Sequence, residues 1–415
     1  RRVLDNGKAE GVRKIKRFEK YCLKDIATVS QGFTFSRLYQ GKKNLKWNYF
    51  KVADIGLNPN SKYLTNAINT ISDITMEEIG VLPFPKGSIV FPRVGAALFN
   101  NNKKILAQDG MVDDNVLVLT VTDTSKCWHE FLYYYLQEIP LAKWCNSGLV
   151  PVINTKTVLS QMVFLPPLPE QQKIATILST QDKVIELKEK LLVQKQQQKK
   201  YLMQQLLTGK KRLPGFGGEW KTIHLNEISC RIETKNTVGN NNVLTISAQY
   251  GLINQTEFFD KVIASDNKSN YYLLSKDEFA YNRSYSKGYP YGTIKRLKRY
   301  VQGVVSPLYI CFAVNKKLAS LDFLEQYFEA SIINREIQSI VQEGARNHGM
   351  LNVAVDDFFR IKITMPEIEE QKEIAKILST ADHEIDLLQK SIEAEKQKKK
   401  ALMQLLLTGK VRVKI

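Results

Sequence analysis

Residues 170–212 are written twice in this chain. Glu170-Gln171, Ile174-Ala175, Ile177-Leu178-Ser179-Thr180 and Asp182 return as Glu370-Gln371, Ile374-Ala375, Ile377-Leu378-Ser379-Thr380 and Asp382. Leu202-Met203-Gln204 and Leu206-Leu207-Thr208-Gly209-Lys210 return as Leu402-Met403-Gln404 and Leu406-Leu407-Thr408-Gly409-Lys410. Each residue lies 200 places from its copy, without a gap. One element used twice means an internal duplication, and any fold must accommodate both copies.

The copy has the spacing of a long amphipathic helix. Ile174, Ile177, Leu178, Ile185, Leu192, Leu202 and Leu206 fall mostly three or four apart, on one stripe. Ile374, Ile377, Leu378, Ile385, Ile392, Leu402 and Leu406 mark the same stripe again. Pro169-Glu170 and Pro366-Glu367 suit helix starts, and Gly209 and Gly409, each before a lysine, suit helix ends. Ser179-Thr180-x-Asp182 reads as a restart after a kink. About 36 residues at 1.5 Å each span roughly 54 Å. Such a stripe is not stable alone in water. Its simplest partner is the other copy, in an intramolecular coiled coil whose antiparallel form would hold the intervening segments at opposite ends. The alternative is a helix packed on its own domain.

The 415 residues allow two or three domains, and 43% apolar content is that of an ordinary globular chain. No apolar run is long enough to span a membrane and no signal peptide opens the sequence. The chain begins Arg1-Arg2 rather than Met, so it is expected to start inside a longer one. Cys22, Cys127, Cys145, Cys230 and Cys311 are scattered, which points to reduced thiols, a cytoplasmic location and no zinc cluster. The net charge of +18 makes nucleic acid the first partner to consider.

Taken in order, residues 1–17 form a basic lead. Residues 18–165 are mixed, with strands expected near Ser88–Phe91 and Asn115–Val121 and a helix over Phe131–Leu141. The first helical region covers 166–212. Residues 213–365 repeat the mixed pattern after a turn-rich Leu213–Gly218, with strands near Val243–Ser247, Glu278–Tyr281 and Leu308–Val314 and a helix over Phe323–Val341. The second helical region covers 366–415. Identity is strong in the helices and slight in the heads, as expected of one scaffold carrying two different readers.

The segment Asn282–Tyr300 is the richest candidate for holding nucleic acid. Arg283, Lys287, Lys295, Arg296, Lys298 and Arg299 carry charge with no acid among them, and Tyr285, Tyr289 and Tyr291 are interleaved. Arg346-Asn347-His348, between glycines, is a second candidate. In the first head Arg93, Asn101, Lys103 and Lys104, with Lys42, Lys43 and Lys46, are weaker analogues. Each group has a plain reading as solvated surface. No phosphate-binding Gly-x-x-x-x-Gly-Lys-Ser/Thr loop, no amino-methyltransferase motif and no metal spacing among the four histidines is present. The economical reading is a reader without a catalyst.

The Leu-Pro-Pro-Leu-x-Glu-Gln-x-x-Ile-Ala-x-Ile-Leu-Ser-Thr-x-Asp run at 165–182, repeated from Met365, resembles the specificity subunit of type I restriction-modification enzymes. The second copy departs from it in keeping a single proline, Pro366. The resemblance covers nearly the whole chain. It implies an α+β fold: two mixed α/β target-recognition domains joined by two long helices that pair as an antiparallel intramolecular coiled coil, a pseudo-twofold internal repeat. It implies recognition of a bipartite double-stranded DNA target, one half-site per domain. It implies two methyltransferase subunits and restriction subunits as partners, with S-adenosylmethionine, ATP and Mg2+ bound by those partners and not by this chain. The other readings are the specificity part of a fused restriction enzyme and a coiled-coil scaffold with no DNA role.

Overall fold

The structure is a computed structural model that describes residues 18–34, 36–57, 61–146, 148–247, 250–258, 268–285, 288–341 and 350–415. The basic lead lies outside them. The described residues fall into two compact units, residues 18–189 with 391–415 and residues 190–390. Packing therefore groups the chain across the linear division into heads and helices, and each unit holds one half of each long helix.

In the first unit a five-stranded sheet runs in the order Ala27–Gln31, Val116–Val121, Ile89–Pro92, Lys104–Leu106, Tyr63–Leu64. The first four strands are antiparallel and the last is parallel to its neighbour. Val116–Val121 is apolar without alternation because both its faces are covered. Leu117 and Leu119 enter one core while Val116 and Val118 enter another. The helix His129–Gln137 packs on the first of these faces.

The second unit repeats the arrangement with four antiparallel strands, in the order Ser229–Arg231, Ile310–Val314, Phe279–Asn282, Thr293–Arg296. Its helix is Leu321–Glu329. The helix expected over Phe323–Val341 is in fact two. Ser331 takes a left-handed φ of 59°, and a second helix follows at Asn334–Ile340. Two-stranded pairs close each unit, Glu19–Cys22 with Met162–Leu165 and Lys221–His224 with Lys362–Met365.

The long helices run unbroken over Leu168–Leu206 and Ile368–Leu406, 39 residues each. The expected restart at Ser179-Thr180 does not occur. Thr180 Oγ1 instead donates back to the Thr176 carbonyl at 2.8 Å, and Asp182 accepts from Tyr134 Oη at 2.6 Å. Within each unit the two helix halves run antiparallel. In the first, Glu189 pairs with Lys396, Lys188 with Glu395 and Asp182 with Lys399. Buried Gln181 also donates to Glu395 Oε2 at 2.7 Å. In the second, Lys195 pairs with Glu384 and Lys199 with Asp382.

The apolar stripe does two jobs rather than one. Ile185 and Ile392 are buried along the first unit's helix pair, and Leu192 and Ile385 are half-buried in the second. The stripe's ends enter the head cores. Ile174, Leu178 and Leu406 join the first unit's core, with Ile177 and Leu402 packed against it. Ile374, Leu378 and Leu206 join the second, with Ile377 and Leu202 packed against it. Coiled coil and own-domain packing are therefore both present, in different stretches of the same helices.

The repeated Glu-Gln pair locks these ends. Buried Glu170 takes a two-pronged contact from Arg412, with Nε at 2.8 Å and Nη2 at 2.6 Å, plus the Val413 N–H. Buried Glu370 takes the same from Arg212 at 2.8 and 2.7 Å. Gln171 donates to the Pro166 and Lys126 carbonyls and accepts from Trp128 N–H. Gln371 does likewise with Pro366 and Ser320.

Candidate nucleic-acid interface

Each sheet carries a hairpin whose loop stands beyond the strand ends. In the second unit Phe279–Asn282 and Thr293–Arg296 form its arms. In the first unit Ile89–Pro92 and Lys104–Leu106 do. Both loops are pinned the same way. Arg283 O accepts from Leu351 N–H at 2.9 Å, and Arg93 O accepts from Ile153 N–H at 2.9 Å. An isolated bridge follows in each, Ser284 with Met350 and Val94 with Val152. Arg93 and Arg283 thus hold equivalent places, 190 rather than 200 residues apart.

Arg283 spends its fork on the protein. Its Nε and Nη2 donate to the Leu308 carbonyl at 3.2 and 3.1 Å, and Nη1 donates to the Val353 carbonyl at 3.0 Å. Arg93 Nη1 reaches the Asp114 carbonyl at 3.5 Å. These arginines brace the loops. Arg283→Ala is therefore expected to lower the second unit's stability by about 1–3 kcal/mol, read by urea unfolding. Unchanged unfolding with weaker DNA binding would return Arg283 to the role assigned from sequence.

The cationic run after the loop is neutralised by acids that lie distant in sequence. Lys295 pairs with Glu329, Arg296 with Asp322 at 2.6 Å and Glu325 at 2.9 Å, and Lys298 with Glu325 at 3.2 Å. Lys295 and Arg296 are also buried. All three acids lie on one side of the helix Leu321–Glu329, so the run is an ion-pair network between strand and helix. Arg299 stays exposed and pairs with Glu257 at 3.0 Å. Tyr291 packs against the core and its carbonyl accepts from Tyr281 Oη. Tyr289 is half-buried, and burial pushes its phenol up. Tyr285 remains at the tip, 61% exposed. Lys287, Arg346, Asn347 and His348 lie outside the described residues.

In the first unit Lys103 and Lys104 are not surface charges, being 2% exposed each. Burial pushes the Lys103 ammonium down to about 7 and that of Lys104 down to about 8. Lys103 Nζ donates to Asn101 Oδ1 at 2.7 Å and the Ile139 carbonyl at 2.9 Å, and Lys104 Nζ donates to the Ser61 carbonyl. Asn101 Oδ1 also accepts from Leu141 N–H, so Asn101 organises the interior.

Lys42 and Lys43 are exposed on the loop ahead of Trp47–Phe50. The Lys42 ammonium lies over the Tyr39 ring at 5.7 Å. Lys43, Asn44, Asn66 and Gln108 line an open groove of about 460 Å3. These four side chains have no hydrogen-bond partner among the described residues. Lysine suits phosphate or guanine, and Asn and Gln suit adenine edges, so the groove has the donors and acceptors of a base-reading surface. Asn44, Asn66 and Gln108 escaped the sequence reading because three separate loops bring them together. Among the described residues no cluster of His, Cys, Asp and Glu could hold a metal, and no helix is long and apolar enough to cross a membrane.

A family model described as the type I restriction modification DNA specificity domain matches the chain twice, over residues 15–197 and 218–396. The type I restriction enzyme MjaVIII specificity subunit of Methanocaldococcus jannaschii is 25% identical over 323 residues, covering 68% of this chain and 70% of its own length. The putative type I restriction enzyme MjaX specificity subunit of the same organism is 25% identical over 430 residues, covering 94% and 93%. The solved structure of the type I restriction-modification system S subunit from M. genitalium aligns with a TM-score of 0.57 at 13% identity, over 95% of this chain and 97% of that one. That likeness bears on the fold.

Proposed function

The chain belongs to the type I restriction-modification DNA specificity family, and on that premise we propose that it is the non-catalytic reader of a bipartite DNA target. Each unit reads one half-site, and the paired helices set the unread gap between them. The observation that carries this reading is the doubled family match laid over two heads that share a sheet and differ in their loops. A shared sheet with unlike loops is what two readers of different sequences require, since loops on a rigid scaffold carry specificity.

The partners in this reading are double-stranded DNA, two methyltransferase subunits and restriction subunits. The methyltransferase subunits bring S-adenosylmethionine and methylate adenine, and the restriction subunits use ATP and Mg2+. The net charge of +18 supports binding to the phosphate backbone, with an affinity that falls as salt rises. The test is a genome-wide map of methylated adenines in cells carrying this chain with its methyltransferase partner. The expected pattern is two short defined sequences separated by a fixed run of undefined bases. A single contiguous motif, or no methylation dependent on the chain, would overturn the reading.

A further inference from the structure

The open groove of the first unit is held in shape from beneath. Three loops meet there, and buried polar side chains tie each one down. Gly41 N–H donates to Asn69 Oδ1 at 2.9 Å. Thr70 N–H and Oγ1 donate to the Lys42 carbonyl at 2.9 and 3.2 Å, and Thr70 Oγ1 accepts from Leu45 N–H at 3.0 Å. In the second loop Asn48 Nδ2 donates to the Thr65 carbonyl at 3.0 Å and its Oδ1 accepts from Ala67 N–H at 3.2 Å. Asp54 Oδ1 accepts from Ile68 N–H at 3.0 Å. The third loop, which carries Gln108, is fixed by Ala107 N–H donating to the Leu64 carbonyl at 3.0 Å. Asn48, Asp54, Asn69 and Thr70 are all buried. Irregular loops clamped in this way form a preorganised surface.

The rim of the groove is made of a different set of side chains. Asn44, Asn66 and Gln108 are exposed and keep their amides unspent among the described residues. Asn44 holds a left-handed φ of 60°. A glycine would take that conformation at less cost, whereas asparagine takes it and keeps an amide at the rim. Leu45 and Ile68 stand beside these amides, 38% and 49% exposed. Of the two lysines on the groove, Lys46 is matched by Asp73 at 2.8 Å, which leaves the charge of Lys43. No acid lines the groove among the described residues.

This mixture fits one kind of base pair. A planar amide carries a donor and an acceptor side by side, as adenine N7 and N6–H require. Guanine offers two acceptors there and calls for a two-pronged donor such as arginine, and no arginine lines the groove. Thymine adds a methyl group that an aliphatic side chain can meet, and cytosine has none. Phosphate would call for more free cations than Lys43 alone supplies.

We propose that this groove reads A·T pairs through the major groove, with Asn44, Asn66 and Gln108 on adenine edges, Leu45 and Ile68 on thymine methyl groups, and Lys43 on the neighbouring phosphate. The inference rests on the reading that the first unit recognises half of a DNA target. It adds the base pair that is recognised and the residues that specify it.

Maps of methylated adenines for Asn44→Gly, Asn66→Ala and Gln108→Ala, each as the full chain with its methyltransferase partner, test this. Asn44→Gly removes the amide and leaves the left-handed backbone at ease. The thermal midpoint of each variant is expected to stay unchanged, since these amides hold no part of the fold. Each variant is expected to lose about tenfold of the preference for A·T at one position, all within the same half-site. The other half-site and the gap are expected to stay as they were. No relaxed position, relaxation in both half-sites, relaxation at a G·C position, or an equal fall at every sequence would overturn the inference. A lowered midpoint would make that side chain a structural one and overturn its assigned role. A map for the unaltered chain without a two-part pattern would instead overturn the family-based reading beneath it.

Discussion

Glu170→Ala is expected to destabilise the first unit by about 3 kcal/mol, lowering its melting temperature by roughly 6–12 °C in calorimetry. The Glu170 carboxylate is 2% exposed, and it holds both prongs of Arg412 and the Val413 N–H. Removing one member of a buried pair leaves the other without compensation, which is the costly case. The loss is placed at the low end of that range because the Arg412 side chain is 23% exposed and can still reach water. The arginine also keeps its place over the Phe18 ring at 5.3 Å.

Acid should reproduce the defect in the unaltered chain. Burial by itself pushes the Glu170 carboxyl up, but the Arg412 guanidinium and Val413 N–H together outweigh it and hold the group below its ordinary value. A carboxyl with a depressed folded-state value contributes stability that is fully present above its unfolded value, about 4.3, and is lost as pH falls through the folded value. The gap between Glu170→Ala and the unaltered chain should therefore be constant near neutrality and shrink below about pH 4. A gap that persists into strong acid would mean that the carboxylate's charge is not what stabilises this end.

The sequence revealed the long helices because one scaffold was copied without insertions. Its stripe could be followed from Ile174 to Leu206 and again from Ile374 to Leu406. The reason for the repeated Glu-Gln pair was harder to see. Glu170 is answered by Arg412, 242 residues away. The clue lay in Arg212 and Arg412, which repeat at the same offset but stand just past the glycine that ends each helix. Ser179-Thr180-x-Asp182 read as a local cap because its real partners, Tyr134 and Lys399, come from other elements.

The heads were less legible for a physical reason. Their shared sheet runs at an offset of 190 residues at Arg93 and Arg283, so aligning the chain on its helices misaligns the sheets. The basic run Lys295–Arg299 looked unopposed because Asp322, Glu325 and Glu329 sit on a later helix that folds over the strand. Charge content was readable, whereas charge balance required the fold. The same blindness made Lys103 and Lys104 look like surface lysines when they are interior ones.

The second large effect concerns the gap in the DNA target. In the proposed account the helices are a spacer, so lengthening both should lengthen the gap and leave the half-sites alone. The antiparallel pairing decides where to cut. Lys195 faces Glu384 in the second unit, and Glu395 faces Lys188 in the first. Seven residues inserted after Lys190 and seven after Lys390 keep every one of these pairs and preserve the apolar stripe, since seven residues are two turns. Each helix grows by about 10 Å, equal to at most about three base-pair rises.

The deciding measurement is the map of methylated adenines for this doubly lengthened chain beside that of the unaltered one, each with the same methyltransferase partner. The account predicts identical half-sites separated by a longer run of unread bases. Altered half-sites with the original gap would contradict it, because the helices would then be shaping the readers instead of spacing them.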